Sequence, residues 1–322
     1  MKNKWILIFL LLLAVVIVGV MVADFKSTRP DQIASNPFEY NVDQYKAVDS
    51  ALVLYTETRN LQLSMQEPAA IALAGDRLFV AGDQWVQVIG LQGKLISEIP
   101  LPEKPHAVAA TPDRLLVATK ASVLVYDPAG KLLATWKEGF SESSVLTSVA
   151  VAGDNIFIAD AGQRKVYRFN PSGEKILEFE GKVNDEVLHG FIVPSPCFDV
   201  AINADGDLWV ANPGKHALEN YTFDGNLRGY WNKSSMEVEG FSGCCNPAQF
   251  TFLPDGNFIT SEKGLVRIKE YKPSGELVGV VAPPAKFQDD GHAPEVVADA
   301  ESRIYALDFD RKMIRVFEKK ER

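Results

Sequence analysis

The chain has 322 residues, 47% of them hydrophobic, three cysteines and a formal net charge of −9. That length suggests two domains unless an all-β propeller or barrel uses the whole chain as one unit. The acidic balance argues against a nucleic-acid-binding protein, which usually carries a basic domain or stripe, and three cysteines are too few for a disulfide framework.

The N-terminus has the pattern of a membrane anchor. Residues 1–4 carry two lysines, and an apolar run without charge follows from Trp5 to Ala23. At 1.5 Å per residue this run is about 28 Å long, enough to cross a bilayer. It is longer than the apolar part of most secretory signals, and Met21 stands where a cleavage site needs a small residue. We therefore expect a single-pass anchor at 5–23 rather than a signal peptide. The lysines should stay in the cytoplasm, with the remaining chain on the extracytoplasmic side.

After the apolar run, residues 24–45 are polar and carry two prolines, which is typical of a tether. The rest of the chain, 46–322, repeats one frame of short apolar runs separated by Gly, Asp, Asn and Pro turns. The equivalent second-strand residues are Leu78, Leu115, Ile156, Leu208, Phe258 and Ile304. Their spacing of about 37 to 52 residues is near the period of a four-stranded propeller blade.

The sixth copy, SRIYALDFDRKMIRVFEKK, ends after its third strand. The segment Ala51 to Leu63 reads as a strand but has no blade of its own. We therefore predict an all-β, six-bladed propeller with four-stranded blades, in which this N-terminal segment supplies the last outer strand and closes the ring.

The copy GDNIFIADAGQRKVYRFNPSGE resembles the NHL repeat, and DGDLWVANPGKHALENYTFDGN resembles it next best. The resemblance covers roughly the last 250 residues and implies a six-bladed propeller. It says little about chemistry, because NHL-type propellers include lyases, lactonase-like enzymes, sensors and binding modules.

Propeller geometry places the connections between blades and the loops between second and third strands on one face. That face receives every histidine and cysteine of the chain: His106, His189, Cys197, His216, Cys244, Cys245 and His292. The longest insertions, 183–196 and 232–246, lie there too. Long loops on one rim of a rigid scaffold are a common place for function.

The adjacent pair Cys244–Cys245 allows three interpretations. The two thiols could form a vicinal disulfide, which suits a redox role or a rigid turn. They could bind a metal ion in a turn with His216, His189 or Cys197, and the candidate metal ligands are His106, His216, His292, Cys244 and Cys245. They could also be structural, with one thiol buried as a small apolar group.

A ring of polar groups on the same face could hold a polar or anionic ligand. The candidate ligand-binding residues are Cys244, Cys245, Asn246, Cys197, Asp199, Asn212, His216, Glu262 and Lys263, and Asp160, Arg267 and Asp308 occupy related places. Each of these types is also an ordinary solvated turn residue.

Two enzyme classes are alternatives. The Pro105-His106 element resembles that of the zinc-dependent peptidylglycine amidating lyase, a six-bladed propeller, but the other histidines of that family have no matching positions here. Glu57, Asn212 and Asp308 could form a lactonase-like calcium site, although no motif supports one. The sequence favours a membrane-anchored module that binds a protein or a small polar ligand over an enzyme. A redox or metal-binding protein is the second interpretation, and no cofactor is required by the sequence.

Overall fold

The computed structural model describes residues 2–27, 42–182 and 190–321, and it forms two units, Met1–Val42 and Asp43–Arg322. In the first unit, helix α1 spans Lys2–Ser27. Its stretch Lys4–Lys26 has a mean hydropathy of 3.4. A helix that is apolar on all sides suits lipid rather than a protein surface, so α1 is a candidate membrane anchor or signal sequence.

The second unit is a six-bladed propeller of four-stranded antiparallel sheets, as predicted. Blade 1 contains β2 (Pro68–Ala74), β3 (Arg77–Gly82), β4 (Trp85–Gly90) and β5 (Leu95–Pro100). Blade 2 contains β6 (Ala107–Ala110), β7 (Leu115–Ala118), β8 (Val123–Tyr126) and β9 (Leu132–Trp136). Blade 3 contains β10 (Leu146–Ala152), β11 (Asn155–Asp160), β12 (Lys165–Phe169) and β13 (Lys175–Phe179).

Blade 4 contains β14 (Val200–Ile202), β15 (Leu208–Asn212), β16 (Ala217–Tyr221) and β17 (Leu227–Asn232). Blade 5 contains β18 (Gln249–Phe252), β19 (Phe258–Glu262), β20 (Arg267–Tyr271) and β21 (Leu277–Ala282). Blade 6 contains β22 (Glu295–Ala298), β23 (Ile304–Asp308), β24 (Met313–Lys319) and the N-terminal strand β1 (Tyr55–Gln62). Short 3-10 helices span Asp43–Tyr45, Ser50–Leu52, Pro213–Lys215 and Pro284–Lys286.

The predicted ring closure is confirmed. β1 pairs antiparallel with β24, from Tyr55 opposite Lys319 to Gln62 opposite Met313. A buried guanidinium reinforces this pairing, because Arg315 donates to both carboxylate oxygens of Glu57 at 2.9 and 2.8 Å. The strand from one end of the propeller sequence therefore covers the edge that the other end leaves open.

The hydrophobic core lies between neighbouring blades, and glycine turns pack against aromatic rings there. Gly173, in the outer hairpin of blade 3, lies against Trp136 from the last strand of blade 2, so that an added Cβ would come within 2.3 Å of the indole. Gly275 of blade 5 meets Trp231 of blade 4 in the same way, at 2.8 Å. The absence of a side chain at these turns lets adjacent blades approach closely.

The two ends of the predicted tether at 24–45 lie in the described units. Helix α1 continues to Ser27, and the second unit begins at Asp43. Residues 28–41, the middle of the predicted tether, and residues 183–189, part of the first predicted insertion, lie outside the described residues.

Candidate functional site

The connections between blades and the loops after second strands meet on one face, and hydrogen bonds show this directly. In blade 1 the carboxylate of Asp83 accepts from the backbone N–H groups of Gln66 and Glu67 at 3.0 and 2.7 Å. The side-chain oxygens at the ends of β11, β15 and β19 do the same for later connections. Asp160 accepts from Val145, Asn212 from Ile192 and Glu262 from Ser242, at 2.9, 2.9 and 3.1 Å.

Several residues of the predicted polar ring have hydrogen-bond partners within the protein. Asp160, Asn212, Glu262 and Asp308 are buried. Asn212 also donates to Glu219 at 3.0 Å, and Asp308 accepts from Arg315 at 3.2 Å. Their polar atoms hold loops and neighbouring strands.

The face carries a cavity of about 650 Å³, which we call the rim pocket. Loops from three blade junctions line it, and five predicted ligand-binding residues lie in its wall: Cys197, Cys244, Cys245, Asn246 and Lys263. His292 from the connection into blade 6 and the ring of Phe309 complete the wall. Of the predicted ligand-binding residues, His216, Asp199, Asn212 and Glu262 lie outside this wall.

A buried charged cluster lies beneath the cysteine loop. The side chains of Glu262, Arg267 and Lys269 are each 0% exposed. Glu262 bonds to Arg267 at 2.8 Å and to Lys269 at 2.7 Å. The two cations also donate to the carbonyl oxygen of Gly240, at 2.9 Å from Arg267 and 2.5 Å from Lys269. We call these three residues the clamp, because they hold the connection between blades 4 and 5.

The charges within the clamp are unequal. Burial opposes ionisation of Glu262, but Lys269 and Arg267 together hold its pKa below the usual range. Burial lowers the pKa of Lys269 to about 7, against the attraction of Glu262 and with the repulsion of Arg267. One carboxylate does not fully offset the burial and mutual repulsion of two cations, so the pKa of Lys269 falls.

The cysteine loop is fixed from two further sides. Asn246 donates to the carbonyl oxygen of Ser242 at 2.7 Å and accepts from the backbone of Lys263 at 2.9 Å. His216 Nε2 lies 2.6 Å from the carbonyl oxygen of Gly243. A carbonyl oxygen only accepts, so Nε2 carries the proton. His216 therefore positions the loop. The Asn246–Pro247 peptide bond is cis.

The two adjacent thiols point to the same side of this loop. Their Sγ atoms are 3.0 Å apart, with Cys244 exposed and Cys245 buried. Burial disfavours the Cys245 thiolate, but hydrogen bonds from Ser195 and Cys244 and the Lys263 ammonium outweigh burial and lower the pKa of Cys245. The hydrogen bond to Cys245 raises the pKa of Cys244. When the pair loses a proton, the thiolate is therefore centred on Cys245.

The proposed metal ligands are not assembled. Across residues 2–27, 42–182 and 190–321, no group of three or more His, Cys, Asp or Glu side chains could hold a metal ion. His292 Nδ1 instead bonds to Asp310 at 2.7 Å, and burial lowers the pKa of the half-buried His106. His189 lies outside the described residues. Among the described residues, the lactonase-like calcium site is not formed either, because Glu57 and Asp308 both accept hydrogen bonds from the guanidinium of Arg315.

A second cavity, of about 260 Å³, lies between the inner strands of all six blades. Asp199, predicted at the rim, faces this central channel and accepts from Ser148 Oγ at 2.6 Å and from the Phe250 N–H at 2.8 Å. Burial raises its pKa to about 6. Glu295 accepts from the Ile71 N–H at 2.8 Å, and burial raises its pKa well above the usual range. These bonds join inner strands of neighbouring blades.

Sequence reasoning missed Glu295, Lys269 and Ser195. Glu295 begins an otherwise apolar inner strand, EVVA, and a carboxylate buried there needs a hydrogen-bond donor. Arg267, Lys269 and Tyr271 are two residues apart on β20, so they lie on one face of the strand, and this spacing was a usable signal. Ser195 carried no signal in the sequence.

Comparison with solved structures identifies the fold. The WD40 β-propeller domain of Doa1 superposes with a TM-score of 0.56 at 10% identity over 83% of this chain and 98% of that one. A protein of unknown function from Bacteroides thetaiotaomicron gives 0.59 at 17% identity over 83% and 76%. An inactive virginiamycin B lyase from Staphylococcus aureus with quinupristin gives 0.58 at 12% identity over 83% and 100%.

These likenesses show a β-propeller and no more, because the identities are low. No protein-family model and no curated protein sequence matches the chain.

Proposed function

We propose that this chain is a membrane-anchored, extracytoplasmic propeller that binds a small organic ligand in the rim pocket. One observation carries the proposal, which is a cavity of about 650 Å³ whose wall includes the half-buried ammonium of Lys263. Ligand pockets in proteins commonly measure about 300–1,000 Å³ and combine apolar walls with a few polar groups.

Lys263 supports a ligand that carries an anionic group. Its Nζ donates to the neutral hydroxyl of Ser195 at 2.9 Å. Within the described ranges, no carboxylate lies within salt-bridge distance of this ammonium. Asp290 also lines the pocket but is exposed, where solvent and salt screen its charge. A partly shielded ammonium that pairs with no carboxylate of the described residues favours an anion in the pocket.

The remaining wall supports an apolar body for that ligand. Pro68, Ala69, Ala248, Ala293 and Phe309 contribute to the lining. The clamp, Asn246 and His216 hold the cysteine loop beside Ala248 in place. A preformed pocket of this kind loses little entropy when a ligand binds.

The N-terminal helix supports the proposed location. Its apolar stretch is long enough to span a bilayer, and Lys2 and Lys4 precede it. By the positive-inside rule, these lysines favour the cytoplasmic side, which sends the propeller across the membrane.

Native mass spectrometry of the full-length chain in detergent tests the ligand. We expect the wild type to retain an organic molecule whose fragments include an acidic group. Lys263→Met should reduce its retention about tenfold or more, since a hydrogen bond to a charged group contributes about 1.5–3 kcal/mol. Lys272→Met is the matched control, because Lys272 is exposed and paired with Glu276 at 2.8 Å. A wild type without ligand, or equal retention by both variants, would contradict the proposal.

A separate experiment tests the location. A phosphatase reporter that folds only outside the cytoplasm, fused to the C-terminus, should be active and should sediment with membranes. Intact-mass measurement should find residues 1–23 still attached. An inactive reporter, or a soluble product lacking those residues, would show that the anchoring or its orientation is wrong without affecting the ligand proposal.

A further inference from the structure

The cysteine pair has the geometry of a reactive dithiol. In a strand, successive side chains point to opposite faces, so adjacent thiols are kept apart. Here the loop turns at Gly243, whose φ is +69°, and the two Sγ atoms lie 3.0 Å apart. A disulfide bond is about 2.05 Å long. The two sulfur atoms are therefore about 1 Å beyond bonding distance.

The two thiols differ in exposure and in how their surroundings stabilise a thiolate. Cys244 is exposed and lines the rim pocket, so an incoming molecule reaches its sulfur. Cys245 is 3% exposed and lies next to Ser195 and Lys263. Lys263 and the hydrogen bonds stabilise the thiolate at Cys245. The pair thus combines an accessible sulfur with an adjacent buried base and nucleophile.

We propose that Cys244 and Cys245 form a thiol–disulfide exchange site that reduces disulfides of small organic thiols and is itself converted to a Cys244–Cys245 disulfide. The rim pocket supplies the space beside Cys244 for the substrate. This proposal is independent of the ligand proposed above, because it rests on the sulfur pair and on covalent chemistry.

In the first step, Cys244 attacks one sulfur of a disulfide RSSR while its proton passes to the Cys245 thiolate. An S–S bond forms at Cys244, the S–S bond of the substrate breaks, and RS⁻ leaves. The Cys245 proton then goes to this RS⁻, which gives RSH. Finally the Cys245 thiolate attacks Cys244 Sγ, the mixed disulfide breaks, and a second RS⁻ leaves and takes up a proton from water. The protein dithiol loses two electrons, and the substrate gains them.

The experiment uses the full-length chain in detergent, first reduced and desalted, then mixed with oxidised glutathione near neutral pH. Samples are alkylated over time and analysed by intact mass and peptide mapping. We expect the loss of two hydrogens, a disulfide mapped to Cys244–Cys245, and an alkylated Cys197. Lys272→Met is the matched control, since Lys272 is exposed, pairs with Glu276 at 2.8 Å and lies outside the pocket wall, and it should react at the wild-type rate.

Variants separate the steps. Cys245→Ser should accumulate glutathione on Cys244, because the resolving thiol is gone. Cys244→Ser should be modified at Cys245 at least about tenfold more slowly, since Cys245 is buried. Lys263→Met should slow disulfide formation about threefold. Loss of the Lys263 ammonium raises the pKa of Cys245 and lowers its thiolate fraction, and the greater nucleophilicity of a more basic thiolate offsets part of that.

Three results would overturn the proposal. The first is a wild-type chain that stays fully alkylatable after exposure to glutathione disulfide. The second is a disulfide that includes Cys197. The third is a folded Cys245→Ser chain that captures no glutathione at Cys244. Should that variant fail to fold, the mapping of the wild-type disulfide decides alone.

Discussion

Replacing Lys269 by Met tests whether the clamp contains a neutral amine. Burial lowers the pKa of Lys269 from 10.5 to about 7. A pKa difference of one corresponds to about 1.4 kcal/mol, so charging this amine in the fold costs roughly 5 kcal/mol more than in the unfolded chain. Methionine has a similar length and leaves the Glu262–Arg267 pair in place.

The sign of the pH effect follows from proton binding. Between the folded pKa near 7 and the unfolded pKa of 10.5, the folded chain holds fewer protons at Lys269 than the unfolded chain. The stability that this residue contributes therefore rises with pH in that window. Below pH 7 the amine is charged in both states, and the free-energy cost of burying this charge is fully present. From pH 7 to 9 the stability of the wild type relative to Lys269→Met should rise by about 2–3 kcal/mol.

Guanidinium titrations of both full-length chains in detergent, followed by tryptophan fluorescence at several pH values, measure this difference. The exposed pair Lys272–Glu276 supplies the control, and Lys272→Met should show no such slope. If the difference between wild type and Lys269→Met stays constant within about 0.5 kcal/mol, Lys269 remains an ammonium paired with Glu262. The assignment of the charge imbalance to Lys269 would then be wrong.

Two further predictions test the ring. Gly173→Ala should destabilise the fold by about 2–4 kcal/mol, because φ is +83° and the new Cβ would meet Trp136 at 2.3 Å. Gly206→Ala, with φ +82° and open space, should cost only about 1–2 kcal/mol in the same denaturation assay, and equal costs would contradict the packing argument. Arg315→Met should cost about 3–5 kcal/mol by removing the partner of the Glu57 carboxylate. It should also expose β1 to limited proteolysis, and a protease-resistant N-terminus would refute this role in closure.

The propeller could be predicted because its determinants are local. Leu78, Ile156 and Ile304 each lie at the first or second position of a blade's second strand and are 0% exposed. Strand spacing and turn chemistry fix this repeat before any tertiary contact is known. The closing strand followed from counting strands, since a sixth blade with three strands leaves an open edge.

The site could not be predicted to the same depth, because buried charges resemble solvated ones in sequence. Glu262 and Arg267 stand in and after a loop, SEKGLVRIKEY, where charged residues are usually exposed. Their burial depends on the connection between blades 4 and 5, more than 20 residues earlier in the chain. Only the period of two in β20, which puts Arg267 and Lys269 on one face, indicated a shared partner.

The clamp supports the backbone turn that brings the two cysteines together. Adjacent sulfurs meet only where the backbone turns, and the connection that carries this turn presents carbonyl groups that no strand partner satisfies. Buried carbonyls need donors, and Arg267 and Lys269 supply them to Gly240 from below. Glu262 balances part of that charge and accepts from the Ser242 N–H at 3.1 Å, two residues before Cys244. The buried charges therefore serve the loop that holds the thiols together, which explains why they lie under the rim pocket and not in its wall.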